Sequence, residues 1–244
     1  MRTVTTPERF LTMAAARNNA EWCAAMSRSH GLESEFGSQA WAAPVRTPLF
    51  YPDAVTLAPG ADGTALVARI DTAAAGASVK DSFADLDLTG AGFEVLFEAR
   101  WIHRPAGTPA PAPAPELRWD VVGDRERLRA WALAWDDGDG NAHLFRPGLL
   151  DDPETFVLAG RSADGRVVAG AVASRSEQVV GLSNVFAREG GGPDSAWPVV
   201  LQAVSRLFPD LPVVGYEQGD ELAAAVRAGF KSVGPLRIWI HHGE

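Results

Sequence analysis

The chain has 244 residues, 46% of them apolar, and a formal net charge of −9. That length suits one or two domains with a packed core, and the acidic balance argues against a nucleic-acid or anionic-membrane partner, since either needs a basic face. The single cysteine, Cys23, excludes an internal disulfide and suits a reducing cytoplasm. No apolar run approaches a membrane span or follows a basic N-terminus, so a soluble cytoplasmic chain is expected.

In chain order, Glu8 to Ser29 reads as a helix with Leu11, Ala14, Trp22, Ala25 and Met26 on one side and Gly31 as its stop. Strands are expected at Ala54–Leu57 and Ala65–Ile70, a helix around Val79–Leu88, and a strand over Glu94–Ile102. Pro105 to Pro115 carries five prolines, mostly interleaved with alanine. Such a stretch favours extended geometry and joins neither helix nor sheet. It reads as a linker, the alternative being a long surface loop within one domain.

Beyond it, Arg118–Val122 is a short strand, and Asp124 caps a helix whose Leu128, Trp131, Ala132 and Trp135 form one apolar stripe. Asp136 to Asn141 is a turn-rich break, with a second short helix expected over His143–Leu150. Thr155–Ala159 and Val167–Ser174 form a hairpin across Asp164-Gly165, and Val179–Ala187 is a further strand. After Gly190 to Gly192, a helix begins near Ser195 with Trp197, Val200, Leu201, Val204, Leu207 and Phe208 on its face. Leu211–Tyr216 is a strand, Asp220–Ala228 a helix, and Leu236–Ile240 the last strand.

Two distant segments match. Gly92-Phe93 leads to Arg100-Trp101-Ile102-His103, and Gly229-Phe230 leads to Arg237-Ile238-Trp239-Ile240-His241. Each is a helix exit into an apolar strand and traces back to an earlier strand, Ala54–Ala58 in one copy and Ser183–Ala187 in the other. Two related modules are expected, the later one complete.

The order after the linker, with Gly215-Tyr-Glu-Gln-Gly-Asp-Glu-Leu222 running into Ala228-Gly-Phe230 and Leu236-Arg-Ile-Trp239, resembles the GNAT-type N-acetyltransferases over about Glu116 to His241. The resemblance implies an α/β (α+β) fold, a mixed central sheet flanked by helices. It also implies a degenerate N-terminal copy over 1–104, a linker at 105–115 and a complete domain over 116–244. Family members hold acetyl-CoA where the fourth and fifth strands splay, with the pyrophosphate on N–H groups at the start of the next helix. A helix N-terminus has unpaired donors and partial positive charge to offer there.

Carried onto this sequence, that site comprises Val185 and Phe186 on the strand and Arg188, Gly190, Gly191, Gly192 and Ser195 in the loop. Arg188 and Gly191 fit the first half of the family's phosphate pattern. Pro193 stands where a second small residue belongs and removes an N–H, and Asp194 adds a negative charge. The alternative is a glycine-rich loop with Asp194 or Ser195 as an ordinary cap.

Acyl transfer to an amine needs a base for the nucleophile, a donor for the oxyanion and an acid for the leaving thiolate. Many family members place a tyrosine acid four residues before the Gly of Gly-Phe, where this chain has Ala225. Tyr216 is the nearest replacement, and Glu217 or Glu177 is the candidate base. The alternatives are a buried strand tyrosine and two solvated carboxylates. Positioning of bound substrates alone can carry much of the rate.

His30, His103, His143, His241 and His242 lack zinc spacing. Asp136-Asp137-Gly-Asp139-Gly-Asn141 has Pro147, not glutamate, at the twelfth position of a calcium loop, so no metal is expected. The expected activity is transfer of an acetyl group from acetyl-CoA to a small-molecule amine acceptor in a groove between the halves; Trp41, Phe50 and Tyr51 are read either as its lining or, equally, as interdomain core. The rivals are an inactive binding module and a structural homodimer. A splay plugged by Phe186 would favour the module.

Overall fold

Described in the computed structural model are residues 6–111, 117–188 and 193–243. They divide into two units, Met1–Trp101 with Val233–Glu244, and Ile102–Ser232. The first begins with α1 (Thr6–Ser29), followed by β1 (Glu35–Phe36), β2 (Ala40–Ala42) and β3 (Ala54–Thr56). Then come α2 (Gly63–Val67), β4 (Ser78–Asp81) and β5 (Phe93–Arg104). The second contains β6 (Arg118–Val121), α3 (Arg125–Asp136), β7 (Thr155–Arg161), β8 (Val167–Arg175) and β9 (Val180–Ala187), then α4 (Pro193–Leu207), β10 (Val213–Glu217) and α5 (Gly219–Arg227). The chain ends on β11 (Lys231–His241), which belongs to the first unit from Val233 onward.

In the first unit the strand order is β1-β2-β3-β4-β11-β5, with β3 parallel to β4 and the pairs β1–β2, β2–β3 and β4–β11 antiparallel. Trp41 is wholly buried against Ala20, Cys23, Ala24 and Val55. Small side chains on α1 leave the depth for that indole, and aromatic burial of this size dominates a small core. Of the two readings of Trp41, acceptor lining and core, the structure gives core. Phe50 is 66% exposed, and Tyr51 packs edge-on against Trp22 at 5.8 Å.

Two local expectations are overturned here. Ala65–Ile70 is not a strand: Asp62 caps α2, its carboxylate accepting from the Ala65 N–H at 3.1 Å. Val79–Leu88 is not a helix. Asp81 is buried, and its carboxylate accepts from the N–H groups of Phe83 (3.3 Å) and Leu86 (3.0 Å). The Asp side chain thus competes with helix bonds and turns the chain after β4. The two Gly-Phe segments share a left-handed glycine, Gly92 at φ 81° and Gly229 at φ 96°, followed by a buried Phe opening a long strand. Gly229 follows α5, whereas Gly92 follows only a short 3-10 turn, Thr89–Ala91.

In the second unit the order β10-β9-β8-β7-β6 has β10 parallel to β9 and the others antiparallel. Ala169, Ala171, Val180, Leu182, Val200, Leu201, Val204 and Ala225 form its buried core between sheet, α4 and α5. Trp131 of α3 packs with Phe145 and Phe186, its indole N–H donating to the Leu158 carbonyl at 2.8 Å. The expected short helix over His143–Leu150 is two 3-10 turns, Ala142–Leu144 and Pro147–Asp151. Asp124 caps α3, its carboxylate accepting from the Arg127 N–H at 2.8 Å. Asp124→Ala should lower the unfolding free energy by about 1 kcal/mol, measured by urea denaturation.

The sequence reading placed the boundaries at 104 and 116. Along the chain the unit limits fall after Trp101, within β5, and after Ser232, within β11. The reason is pairing: β11 is hydrogen-bonded to β4 through Arg237↔Asp81 to Ile240↔Ser78.

Candidate active site

β9 and β10 run parallel but pair only through Val180↔Val213 and Gly181↔Val214 among the described residues, although β9 continues to Ala187 and β10 to Glu217. Side chains turn from buried to half-buried at the same point, from Ser183 on β9 and Tyr216 on β10. Two parallel strands that stop pairing leave backbone groups between them without a ladder partner, which is a built-in place for a polar extended ligand.

On its other side β9 carries a bulge. The ladder with β8 steps from Val172↔Ser183 to Gly170↔Phe186, leaving Asn184 and Val185 opposite Ala171 alone. Asn184 takes a left-handed backbone, φ 53°, a conformation asparagine tolerates better than most residues. The extra residue resets the alternation of side chains. Leu182 lies in the α4–α5 core and Val185, three residues on, packs against the same core, while Phe186 turns to Trp131 at 5.6 Å. The Asn184 side-chain oxygen Oδ1 is buried and without a hydrogen-bond partner.

Glu217 closes β10 and is half-buried. Burial, and secondarily the negative charge of Glu221, push its carboxyl up to about 7. A carboxyl at that value is matched to accepting a proton near neutrality. Tyr216 precedes it, also half-buried. His103, near the end of β5, is held below the usual imidazole range by burial and by the charge of Lys231.

Glu177 is not brought to this place. It is exposed in the turn before β9, beside Val180, at the paired end of the two strands. Four strand steps, about 13 Å, separate Val180 from Asn184.

The loop residues Gly190, Gly191 and Gly192 lie outside the described residues. Arg188 is engaged at the end of α3: its guanidinium donates to the Ala134 carbonyl and pairs with Asp137, and its N–H donates to the Val168 carbonyl at 2.7 Å. A cation at a helix C-terminus is favourably placed. Ser195 is half-buried in the first turn of α4. Asp194, one residue earlier, is clamped by Arg227 of α5 through two bonds of 2.7 and 2.9 Å. The negative charge that stood against a phosphate site is thus offset by a guanidinium. A cavity of about 160 Å³ lined by Trp119, Leu158 and Arg206 lies at the β6 edge, away from these strands.

Asn184 was not among the site residues expected from the sequence. For Asn184 the available signal was an asparagine, a residue depleted in strands, in the middle of an apolar one.

No family model and no curated protein matches this chain. Solved structures do. A GCN5-related N-acetyltransferase from Kribbella flavida superposes with a TM-score of 0.63 at 16% identity, over 94% of this chain and 96% of that one. A GCN5-related N-acetyltransferase from Sphaerobacter thermophilus gives 0.53 at 14% identity, over 94% and 93%. A conserved protein of unknown function from Staphylococcus epidermidis gives 0.54 at 10% identity, over 70% and 73%. The chain therefore has the GNAT fold, the mixed sheet with flanking helices expected from its element order.

Proposed function

We propose that the protein is an acyltransferase that moves an acetyl group from acetyl-CoA to an amine of a small-molecule acceptor. The observation that carries this reading is the parting of β9 and β10 beside a bulge, with a carboxyl raised to about 7 at the end of one strand. The bulge takes the Asn184–Val185 backbone out of regular pairing, so an N–H there can hold the oxyanion. Glu217 accepts the proton of the attacking amine. The C–N bond forms, the C–S bond breaks, and Tyr216 supplies the thiolate's proton. The phosphates of CoA are assigned to the start of α4, with Arg188, Gly190, Gly191, Gly192 and Ser195 around them.

A second reading, a binding module without catalysis, draws on the side chain of Arg188 being held by α3. Titration calorimetry with acetyl-CoA and CoA separates the two. The transferase predicts a Kd of roughly 1–100 μM for both. Absence of heat at millimolar cofactor would remove the acetyl-CoA mechanism, and binding without turnover over an amine panel would favour the module.

The clamp on Asp194 gives a finer expectation. Arg227→Ala should weaken CoA binding about two- to fivefold by exposing a carboxylate at the phosphate end of α4, and Asp194→Asn should strengthen it by a similar factor. Both effects should shrink with added salt.

A further inference from the structure

We infer that the cavity between β6 and α4 is a binding site for a small monocarboxylate with an apolar body of about six or seven carbons. It is separate from the parting of β9 and β10. β6 lies three strand spacings from β9, about 14 Å, beyond β8 and β7.

The walls come from two elements at regular spacing. Trp119 and Val121, two apart on β6, share one face of the strand. Ala203, Arg206 and Leu207, at i, i+3 and i+4, share one face of α4. Leu158, paired with Val121 in the ladder, completes the lining. The space exists because small residues stand between these walls. Gly160 is opposite Trp119, where a Cβ would come within 3.0 Å of the indole Cζ2, and α4 presents only Ala203 at its buried position. The volume is about 160 Å³. An apolar cavity of about 150 Å³ admits benzene, so a six-carbon body fits here.

Two features set the polar end of the ligand. The Arg206 side chain is exposed and has no hydrogen bond or ion pair among the described residues. The Asp120 carboxylate, which also borders the cavity, is answered by Arg161 at 2.7 Å and Arg127 at 4.0 Å. The uncompensated charge at the cavity is therefore positive, and a guanidinium fork suits a carboxylate. The second feature is Trp119 Nε1, buried without a partner among the described residues. The ring is held by packing alone and can turn its N–H to an acceptor brought into the cavity. An alcohol would leave the guanidinium without a counter-charge. A dicarboxylate would carry a second charge against Val121, Leu158, Ala203 and Leu207.

The test titrates hexanoate, hexan-1-ol and acetate into the full chain and follows the indole N–H signals by 15N–1H NMR, that of Trp119 being assigned by its loss in Trp119→Phe. Hexanoate should shift the Trp119 signal saturably, with a Kd of about 1 mM or tighter. Hexan-1-ol should bind at least about threefold more weakly, and acetate should not saturate in the same range. Arg206→Gln, a change at an exposed position, should weaken hexanoate about three- to tenfold with hexan-1-ol unmoved. Ala203→Leu, which fills the cavity, should abolish the shift, with urea denaturation checking that the variant is folded.

Absence of a saturable shift with hexanoate in the wild type would overturn the inference. So would equal affinity for hexanoate and hexan-1-ol, hexanoate binding unchanged in Arg206→Gln or in folded Ala203→Leu, or a shift spread evenly over the indole signals. Displacement of hexanoate by CoA would overturn it as well, because the carboxylate would then sit between β9 and β10.

Discussion

Replacing Glu217 with glutamine should lower kcat/KM by about 10²–10⁴-fold, the range for loss of a general base, while making the protein more stable at alkaline pH. In the wild type, kcat/KM should rise with pH and level off above about 7, where the carboxyl has lost its proton. The stability effect has the opposite sense. The folded carboxyl titrates at about 7 against an ordinary 4.5, so between those values the folded state holds a proton that the unfolded state has released. Stability from this group is complete below 4.5, falls as pH rises, and is lost by about 7. The span amounts to at most about 3 kcal/mol. Glu217→Gln should therefore raise the unfolding free energy at pH 8 by up to that amount and leave it nearly unchanged at pH 4. Chemical denaturation at the two pH values, beside the kinetic pH profile, checks both halves. A variant that is inactive but no more stable at pH 8 would mean that the carboxyl is not desolvated.

Gly170→Ala should be the most damaging single-methyl change near the site, costing about 2–4 kcal/mol, at or above the usual range for overpacking. A Cβ there would lie 2.3 Å from Trp131 Nε1, 2.6 Å from Phe186 Cε1 and 2.9 Å from the Leu158 carbonyl oxygen. The backbone oxygen belongs to the neighbouring strand and cannot step aside, and the indole is held by its bond to that same oxygen. Phe186 would be driven from its place directly after the bulge. The variant should lose stability in urea and lose acetyl-CoA binding together. By contrast, Gly165→Ala tests only a left-handed turn with open space around it and should affect stability alone.

The legible parts of this chain were those written in local pattern. The stripe Leu128, Trp131, Ala132 and Trp135 placed α3, and the apolar face from Trp197 to Phe208 placed α4, because a helix repeats its buried face every three to four residues. The hairpin of β7 and β8 followed from alternation and a Gly turn. Where local pattern was ambiguous, side-chain to backbone bonds decided. Asp62 made a helix of an apolar run that read as a strand, and Asp81 ended a strand where a helix was expected. Both signals were present as single aspartates, and neither is strong without knowledge of which N–H it will meet.

The site divides in the same way. Tyr216 and Glu217 were named as candidates because they end a strand, a position readable from the sequence. Glu177 was grouped with them because it adjoins the neighbouring strand, and only the parallel direction of β9 and β10 reveals that it belongs to the opposite end. The raised carboxyl of Glu217 is likewise a consequence of burial, which composition does not contain.

By itself, then, the sequence determined the order of the main elements in the second unit, the apolar faces of α3 and α4 and the Gly-Phe step into each long strand, since each depends on residues close along the chain. Only the tertiary structure decided that β11 pairs with β4, that β9 and β10 part after two pairs among the described residues, and that β9 bulges at Asn184 against β8. Those are choices of register and partner between distant segments, and any one strand carries the same pattern of side chains whichever neighbour it meets.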